Sequence, residues 1–260
     1  MRSAKRLVTS DLPNGASIAS GATQIYDVKI TNSGDAPEEF FLDPRLNETA
    51  TINLRDQNFP PTAANMILPL SPGLLFPYYA VPSETTQLQA SVNGTGPVTF
   101  DLQYYSGDPD VTPGLNDGFN TSGSIHGDSA NVTLSEPEIS SGTWLLNPGE
   151  IGPYPSAGAP TITASAFLSA VTQAFNPSMT SSTGDLWSEL NALSSGFSPI
   201  YVAPGATATI PVKVAPTGAA GTQVSGTLYV DDYILGTVFF DGPVSSDQLA
   251  AIPYSYTVSP

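Results

Sequence analysis

The residues able to do chemistry in this chain are few and widely spread. A Ser-His-Asp hydrolase needs an imidazole base, and the only histidine is His126, in the run GSIHGD with Asp128 two residues on. No Gly-x-Ser-x-Gly turn accompanies it, nor the sequence that surrounds a subtilisin-type serine, so His126 is expected to be an exposed loop residue. Glycoside hydrolysis would need two carboxylates facing each other across roughly 5 to 9.5 Å. Glu136, Glu138 and Glu150 come nearest, but Pro137 between the first two marks an edge or a loop start, and solvated carboxylates are the expectation.

With no cysteine and one histidine, a metal could be held only by oxygen donors, which points to a hard cation such as calcium. The best cluster is Asp108, Asp110, Asn116 and Asp117 in GDPDVTPGLNDG. It is not an EF-hand, because Thr112 and Phe119 stand where that loop needs ligands. Asp and Gly also populate ordinary hairpin loops, and the turn is the preferred reading. Asp231, Asp232 and Asp241 form a weaker set, whose ordinary explanation is an edge strand protected by charge. Sugar binding would use exposed rings, for which Trp144, Tyr154, Tyr104, Tyr105, Tyr78 and Tyr79 are available. Most of these are expected in the core, Trp144 as an anchor between sheets, while Trp187 is expected to pack a short helix.

Composition limits what can position such residues. In 260 residues there are 23 Gly, 25 Pro, 30 Ser and 26 Thr, and charged residues make up 12% against about 25% in an ordinary domain. Short strands joined by tight turns follow, and the length suits two or three small domains. Net charge is −16, and no cation lies between Arg55 and Lys213. Phosphate backbones and anionic lipid both draw on Lys and Arg, so nucleic acid and membrane surfaces are disfavoured partners. The absence of cysteine excludes disulfides, zinc-thiolate sites and thiol catalysis. No apolar run reaches the ~20 residues of a membrane span. Residues 1–14 lack the apolar centre of a signal peptide and are expected to be poorly ordered, so the chain is expected to be a piece of a longer secreted precursor.

The clearest internal signal is a repeat. Gly21–Gly34 (GATQIYDVKITNSG) aligns without gaps on Gly205–Gly218 (GATATIPVKVAPTG), and Pro82–Gly96 (PSETTQLQASVNGTG) carries a looser copy. Three modules are therefore expected, at 15–72, 73–160 and 161–260. Alternation points Ile25, Val28 and Ile30 inward in the first copy, with a bulge near Ile25, and Ile210, Val212 and Val214 inward in the second. Further strands are expected at Glu38–Asp43, Thr51–Leu54, Val98–Tyr105, Ala130–Leu134, Phe167–Phe175, Gln223–Asp231 and Tyr254–Val258. Asp185–Leu193 and Ser246–Ala251 read as short connecting helices.

The repeated element, the following SGTLYVDD and the terminal PYSYTV resemble the immunoglobulin- or fibronectin type III-like modules found after the catalytic domain of secreted bacterial subtilisin-type peptidases. Val81–Asp110 is similar to the prepeptidase C-terminal type of β-sandwich. The resemblance implies an all-β fold of tandem sandwich modules, an extracellular location, and a non-catalytic role that stabilises or tethers a neighbouring peptidase domain; it transfers no catalytic residue and no cofactor. Two other roles stay open on the residues: a carbohydrate- or polymer-binding module, and a calcium-stabilised adhesion segment.

Overall fold

The structure is a computed structural model that describes residues 6–35, 37–63, 78–82, 84–94, 98–105, 120–125, 129–135, 142–148, 161–184, 196–233 and 248–260. It is all-β, and no helix occurs among the described residues. The chain divides into two compact units. Unit 1 comprises Met1–Ala50, Gln173–Ile234 and Asp247–Pro260, and unit 2 comprises Thr51–Thr172 and Leu235–Ser246. The first fifty residues and the last fourteen belong to one unit, together with Gln173–Ile234.

The strands before the insertion are β1 (Arg6–Ser10), β2 (Asn14–Ala19), β3 (Gln24–Asn32) and β4 (Glu38–Ala63). The next seven are β5 (Tyr78–Val81), β6 (Gln87–Gly94), β7 (Val98–Tyr105), β8 (Asn120–Ile125), β9 (Ser129–Ser135), β10 (Gly142–Pro148) and β11 (Thr161–Phe175). The chain then continues through β12 (Met179–Ser181), β13 (Ile200–Val202), β14 (Thr207–Val214), β15 (Gln223–Tyr233) and β16 (Gln248–Ser259).

Unit 1 is a β-sandwich. One sheet runs β1-β3-β14-β12, and the other runs β2-β16-β15-β4, with β13 paired to the start of β4. The two sheets share one apolar core, in which Val28, Ile30, Ile210, Val212 and Val214 come from the first sheet, and Ile18, Phe40, Leu42, Leu228, Val230, Tyr254, Tyr256 and Val258 from the second. Alternating burial along β14 shows the period of two that puts one side of a strand inside. β3 keeps unbroken pairing with both neighbours, so Ile25 has the parity of Asp27 and Lys29 and is 66% exposed. The expected bulge and inward Ile25 are thus corrected: Tyr26, half-buried, takes the inner position.

The sequence repeat acquires a different meaning here. Its two close copies are β3 and β14, neighbours in one sheet, and Asp27 pairs with Pro211, the residue aligned with it in the repeat. The two segments are therefore related by a local two-fold axis through that pair. Each copy starts from the same turn. Ala22 N–H donates to Ala19 O at 3.0 Å and Ala206 N–H to Ala203 O at 3.0 Å, around Gly21 (φ +77°) and Gly205 (φ +72°). A positive φ at the third residue is what a type II turn requires. Thr222 N–H closes a third such turn on Ala219 O at 3.1 Å, before β15.

Two further expectations change. Arg6–Ser10, inside the segment expected to be poorly ordered, forms the edge strand β1. Gln248–Ala251, within the expected helix Ser246–Ala251, is the start of β16, opposite Asp231, Val230 and Tyr229. Ladder bonds and burial against β15 outweigh the weak helical preference of Ser-Asp-Gln-Leu-Ala-Ala. Asp185–Leu193 lies outside the described residues.

In unit 2 one sheet runs β5-β10-β7-β8, and β6 lies between β11 and β9. Leu88 and Ala90 on β6 stand opposite Ala170 and Leu168 on β11, and all four are buried.

Glycines at two positions should respond differently to a methyl group. At Gly205 nothing lies within 4 Å of an added Cβ, so Gly205→Ala meets only the left-handed backbone cost of about 1 to 2 kcal/mol. At Gly226 the added carbon would collide with the Arg45 carbonyl oxygen and the Tyr254 ring. Gly226→Ala is expected to cost about 3 kcal/mol or more, read as the larger fall in urea midpoint.

Candidate functional site

The densest polar cluster among the described residues sits on β4. The run Phe40-Phe41-Leu42-Asp43-Pro44-Arg45 is buried throughout, at 0 to 2% exposure for the residues that bear on the cluster. Phe40 and Leu42 enter the sandwich core, so Phe41, Asp43 and Arg45 occupy the opposite face of the strand. That face is covered as well. The Phe41 ring meets Phe197 edge-on at 5.2 Å, and the Arg45 guanidinium carbon lies 5.9 Å from the centre of the Phe175 ring.

Two charges are buried there together. Arg45 Nε donates to Asp43 Oδ1 at 2.6 Å, with the two side chains 1% and 3% exposed. Arg45 Nη1 donates to the Gln173 carbonyl at 3.1 Å, and Tyr229, opposite Asp43 on β15, donates its hydroxyl to Gln173 Oε1 at 3.2 Å. The backbone of the same strand is held by a second set. Tyr254 donates its hydroxyl to the Arg45 carbonyl at 2.9 Å and accepts from Asn176 Nδ2 at 2.7 Å. Asn176 N–H donates to Pro44 O at 2.9 Å, and Asn176 Oδ1 accepts from Ser178 N–H at 3.0 Å. Next along, Leu42 N–H donates to Thr183 Oγ1 at 3.2 Å, and β13 pairs with Glu38–Phe40. The edge of β4 turned away from β15 is thereby closed over Glu38–Pro44.

Burial raises the Tyr254 hydroxyl well above the ordinary tyrosine value of 10.0. The Asn176 hydrogen bond pulls it back in part, and Tyr256 and Asp43 push it further up. The cluster can hold charge and orient backbone, but at this burial it does not reach a dissolved substrate.

The residues singled out from sequence fall in three groups. Asp108, Asp110, Asn116, Asp117, His126, Asp128, Glu136, Glu138, Glu150, Tyr154, Trp187 and Asp241 lie outside the described residues. Asp231 and Asp232 are 2% exposed on β15, which is paired on both sides, so the edge-strand explanation is corrected. Among the described residues no group of three or more His, Cys, Asp or Glu could hold a metal ion. The third group is aromatic. Register pairs Trp144 on β10 with Tyr79 on β5 and with Tyr104 on β7. Sequence reasoning missed Asp43, Arg45, Asn176 and Thr183. A signal existed for the first two, since opposite charges two apart in a strand flanked by apolar residues share one face.

No protein-family model matches the sequence, and no curated protein does. Among solved structures, a family 123 glycoside hydrolase from Clostridium perfringens, described with glycolipid glycan hydrolysis, is similar over 98% of this chain and 27% of that one, at 7% identity and a TM-score of 0.30. The chain thus spans about a quarter of that protein's length, and a likeness of this size carries no argument about activity.

Removing one partner of a buried pair leaves the other charge stranded. Arg45→Met is expected to destabilise unit 1 by about 3 to 5 kcal/mol, and the double variant Asp43→Leu with Arg45→Met by less, a non-additivity that a double-mutant cycle in urea would read. A raised tyrosine value means that the folded state favours the neutral hydroxyl. Its stabilisation is complete below pH 10 and falls as the pH rises above that value. Tyr254→Phe should therefore lower stability at pH 7 by about 1 to 3 kcal/mol yet flatten its decline above pH 10, as followed by alkaline urea titrations.

Proposed function

We propose that the chain is a non-catalytic accessory region of a secreted bacterial protein, C-terminal to a subtilisin-type peptidase domain that it stabilises or tethers. The observation that carries this reading is the use made of buried polar groups in unit 1. Arg45, Gln173, Asn176, Tyr229 and Tyr254 are bonded to one another across long stretches of sequence, as with Tyr254 and Arg45, 209 residues apart. Groups committed in that way hold segments together, and a side chain at 1% exposure has no access to a substrate.

The strand order supports the immunoglobulin-type form of the sandwich. Counting A to G along the chain of unit 1, β1-β3-β14-β12 corresponds to A-B-E-D and β4-β15-β16 to C-F-G, with β2 as a second A segment beside the last strand. Such a sandwich hosts many functions, so the accessory role rests on the sequence resemblance and on the buried network rather than on topology. The extracellular location rests on the low charge and the absence of cysteine, and the partner is read as the adjacent peptidase domain or an extracellular polymer.

The test compares the secreted parent with a form lacking these residues. Removal is expected to shorten the half-life of peptidase activity at elevated temperature, or to release the enzyme from the cell surface, with kcat on a peptide substrate unchanged. Turnover of casein or of chromogenic glycosides by the isolated chain would sink the reading.

A further inference from the structure

We propose that Asn14–Gly15 is a self-modifying site, at which the Gly15 amide nitrogen closes on the Asn14 side chain, expels ammonia and leaves an aspartate or isoaspartate, with the Ser255 hydroxyl carrying the proton. The inference stands apart from the accessory reading, since it needs only this chain and water.

The chain contains two Asn-Gly pairs, Asn14–Gly15 and Asn93–Gly94, and the fold treats them differently. Asn14 opens β2, which is paired only with β16 among the described residues, and both Asn14 and Gly15 are exposed. The parallel register slips at this point: Ser255 stands beside Asn14 and Tyr256 beside Ala16, so Gly15 is left without a partner in the ladder. Its φ is +73°, and nothing lies within 4 Å of where a Cβ would be. Asn93, in contrast, is in β6, whose ladders run to Gly94 with β11 and to Asn93 with β9.

One hydroxyl touches both groups that must react. Ser255 Oγ accepts from Gly15 N–H at 2.9 Å and donates to Asn14 Oδ1 at 3.5 Å. An amide nitrogen becomes nucleophilic as its proton is drawn off, and a carbonyl carbon becomes electrophilic as a donor meets the charge forming on its oxygen. The Gly15 N–H is held by a side chain, so its release takes no N–H from the β2–β16 ladder. In the first step the bond between Gly15 N and Asn14 Cγ forms and the bond between Asn14 Cγ and Nδ2 breaks; ammonia leaves with the proton that Gly15 N gives up, and a cyclic succinimide remains. Glycine favours this closure because no Cβ crowds the attacking nitrogen. Water then opens the ring, at Cγ to give aspartate or at the main-chain carbonyl carbon to give isoaspartate.

Both products place a new negative charge at residue 14, and isoaspartate also adds a carbon to the main chain between Pro13 and Gly15. Two backbone contacts straddle that point: Ser255 N–H donates to Pro13 O at 2.9 Å, and Ala16 pairs with Tyr256. A longer main chain cannot keep both in register. The start of β2 is then released while Ile18, buried in the core, still holds the rest of the strand. The reaction is a clock set into the pairing of β2 with β16.

Incubating the whole chain at mildly alkaline pH, folded and in concentrated urea, tests the inference. Peptide mass spectrometry reads the change from amide to acid, and fragmentation separates isoaspartate from aspartate. In the folded chain Asn14 is expected to convert at least as fast as in urea, whereas Asn93 must wait for its ladders to open and is expected to slow by about tenfold or more. Protection of Asn14 by folding to the same degree as Asn93 would overturn the site. Ser255→Ala is expected to slow conversion of Asn14 by about tenfold in the folded chain and not at all in urea, while Ser255→Thr, which keeps the hydroxyl, retains the rate. Equal folded-state rates with and without the hydroxyl would overturn its part in the reaction, and urea midpoints establish that each variant is folded.

Discussion

Unit 1 depends on the burial of β4 on both of its faces. A strand covered on one side needs only alternation, but Glu38–Leu46 supplies apolar groups to the sandwich core and also carries Phe41, Asp43 and Arg45 under a second cover. Burying the guanidinium and the carboxylate has a desolvation cost that their mutual bond offsets only if the remaining hydrogen-bonding positions find partners. The Gln173 carbonyl supplies one, from the point at which the chain returns to unit 1. The strand is therefore completed by residues from the far side of a long insertion, and the final strand locks it through Tyr254.

That dependence explains what could and could not be read in advance. The strands Val98–Tyr105, Gln223–Asp231 and Tyr254–Val258 were legible because each alternates over five or more residues and is bounded by turn formers. The close repeat was legible as a pattern but not as an arrangement: similarity between Gly21–Gly34 and Gly205–Gly218 is equally compatible with two modules and with two neighbouring strands, and only pairing distinguishes them. Ile25 misled because a β-branched residue beside Tyr26 leaves two possible phases for the alternation, and the register of β1 and β14 decides between them. Gln248–Ala251 misled because local preference is weak against a ladder formed with a distant strand.

The site was less legible than the fold. Asp231 and Asp232 stood out as acids, yet their setting on a doubly paired strand reverses the meaning first given to them. Asn176 and Thr183 are unremarkable in sequence, and their roles arise from where a turn brings an amide and a hydroxyl against the edge of β4. Hydrogen-bond partners separated by more than a hundred residues leave no local trace. The pairing of Tyr79 and Tyr104 with Trp144 in unit 2 follows only once the register is known.

The close approach at Gly226 has a consequence for how this sequence can change over time. A Cβ on this glycine would collide with the Arg45 carbonyl oxygen and with Tyr254, so the space that a side chain would need is taken by backbone as well as by the ring. A smaller residue at 254 frees only part of that space, because the Arg45 carbonyl belongs to the backbone of the paired strand, and it abandons both that carbonyl and the Asn176 amide. Glycine is thus fixed at 226 chiefly by a backbone atom, while positions 176 and 254 hold each other through one side-chain hydrogen bond. Divergent descendants of this chain would keep the glycine whatever becomes of the pair beside it.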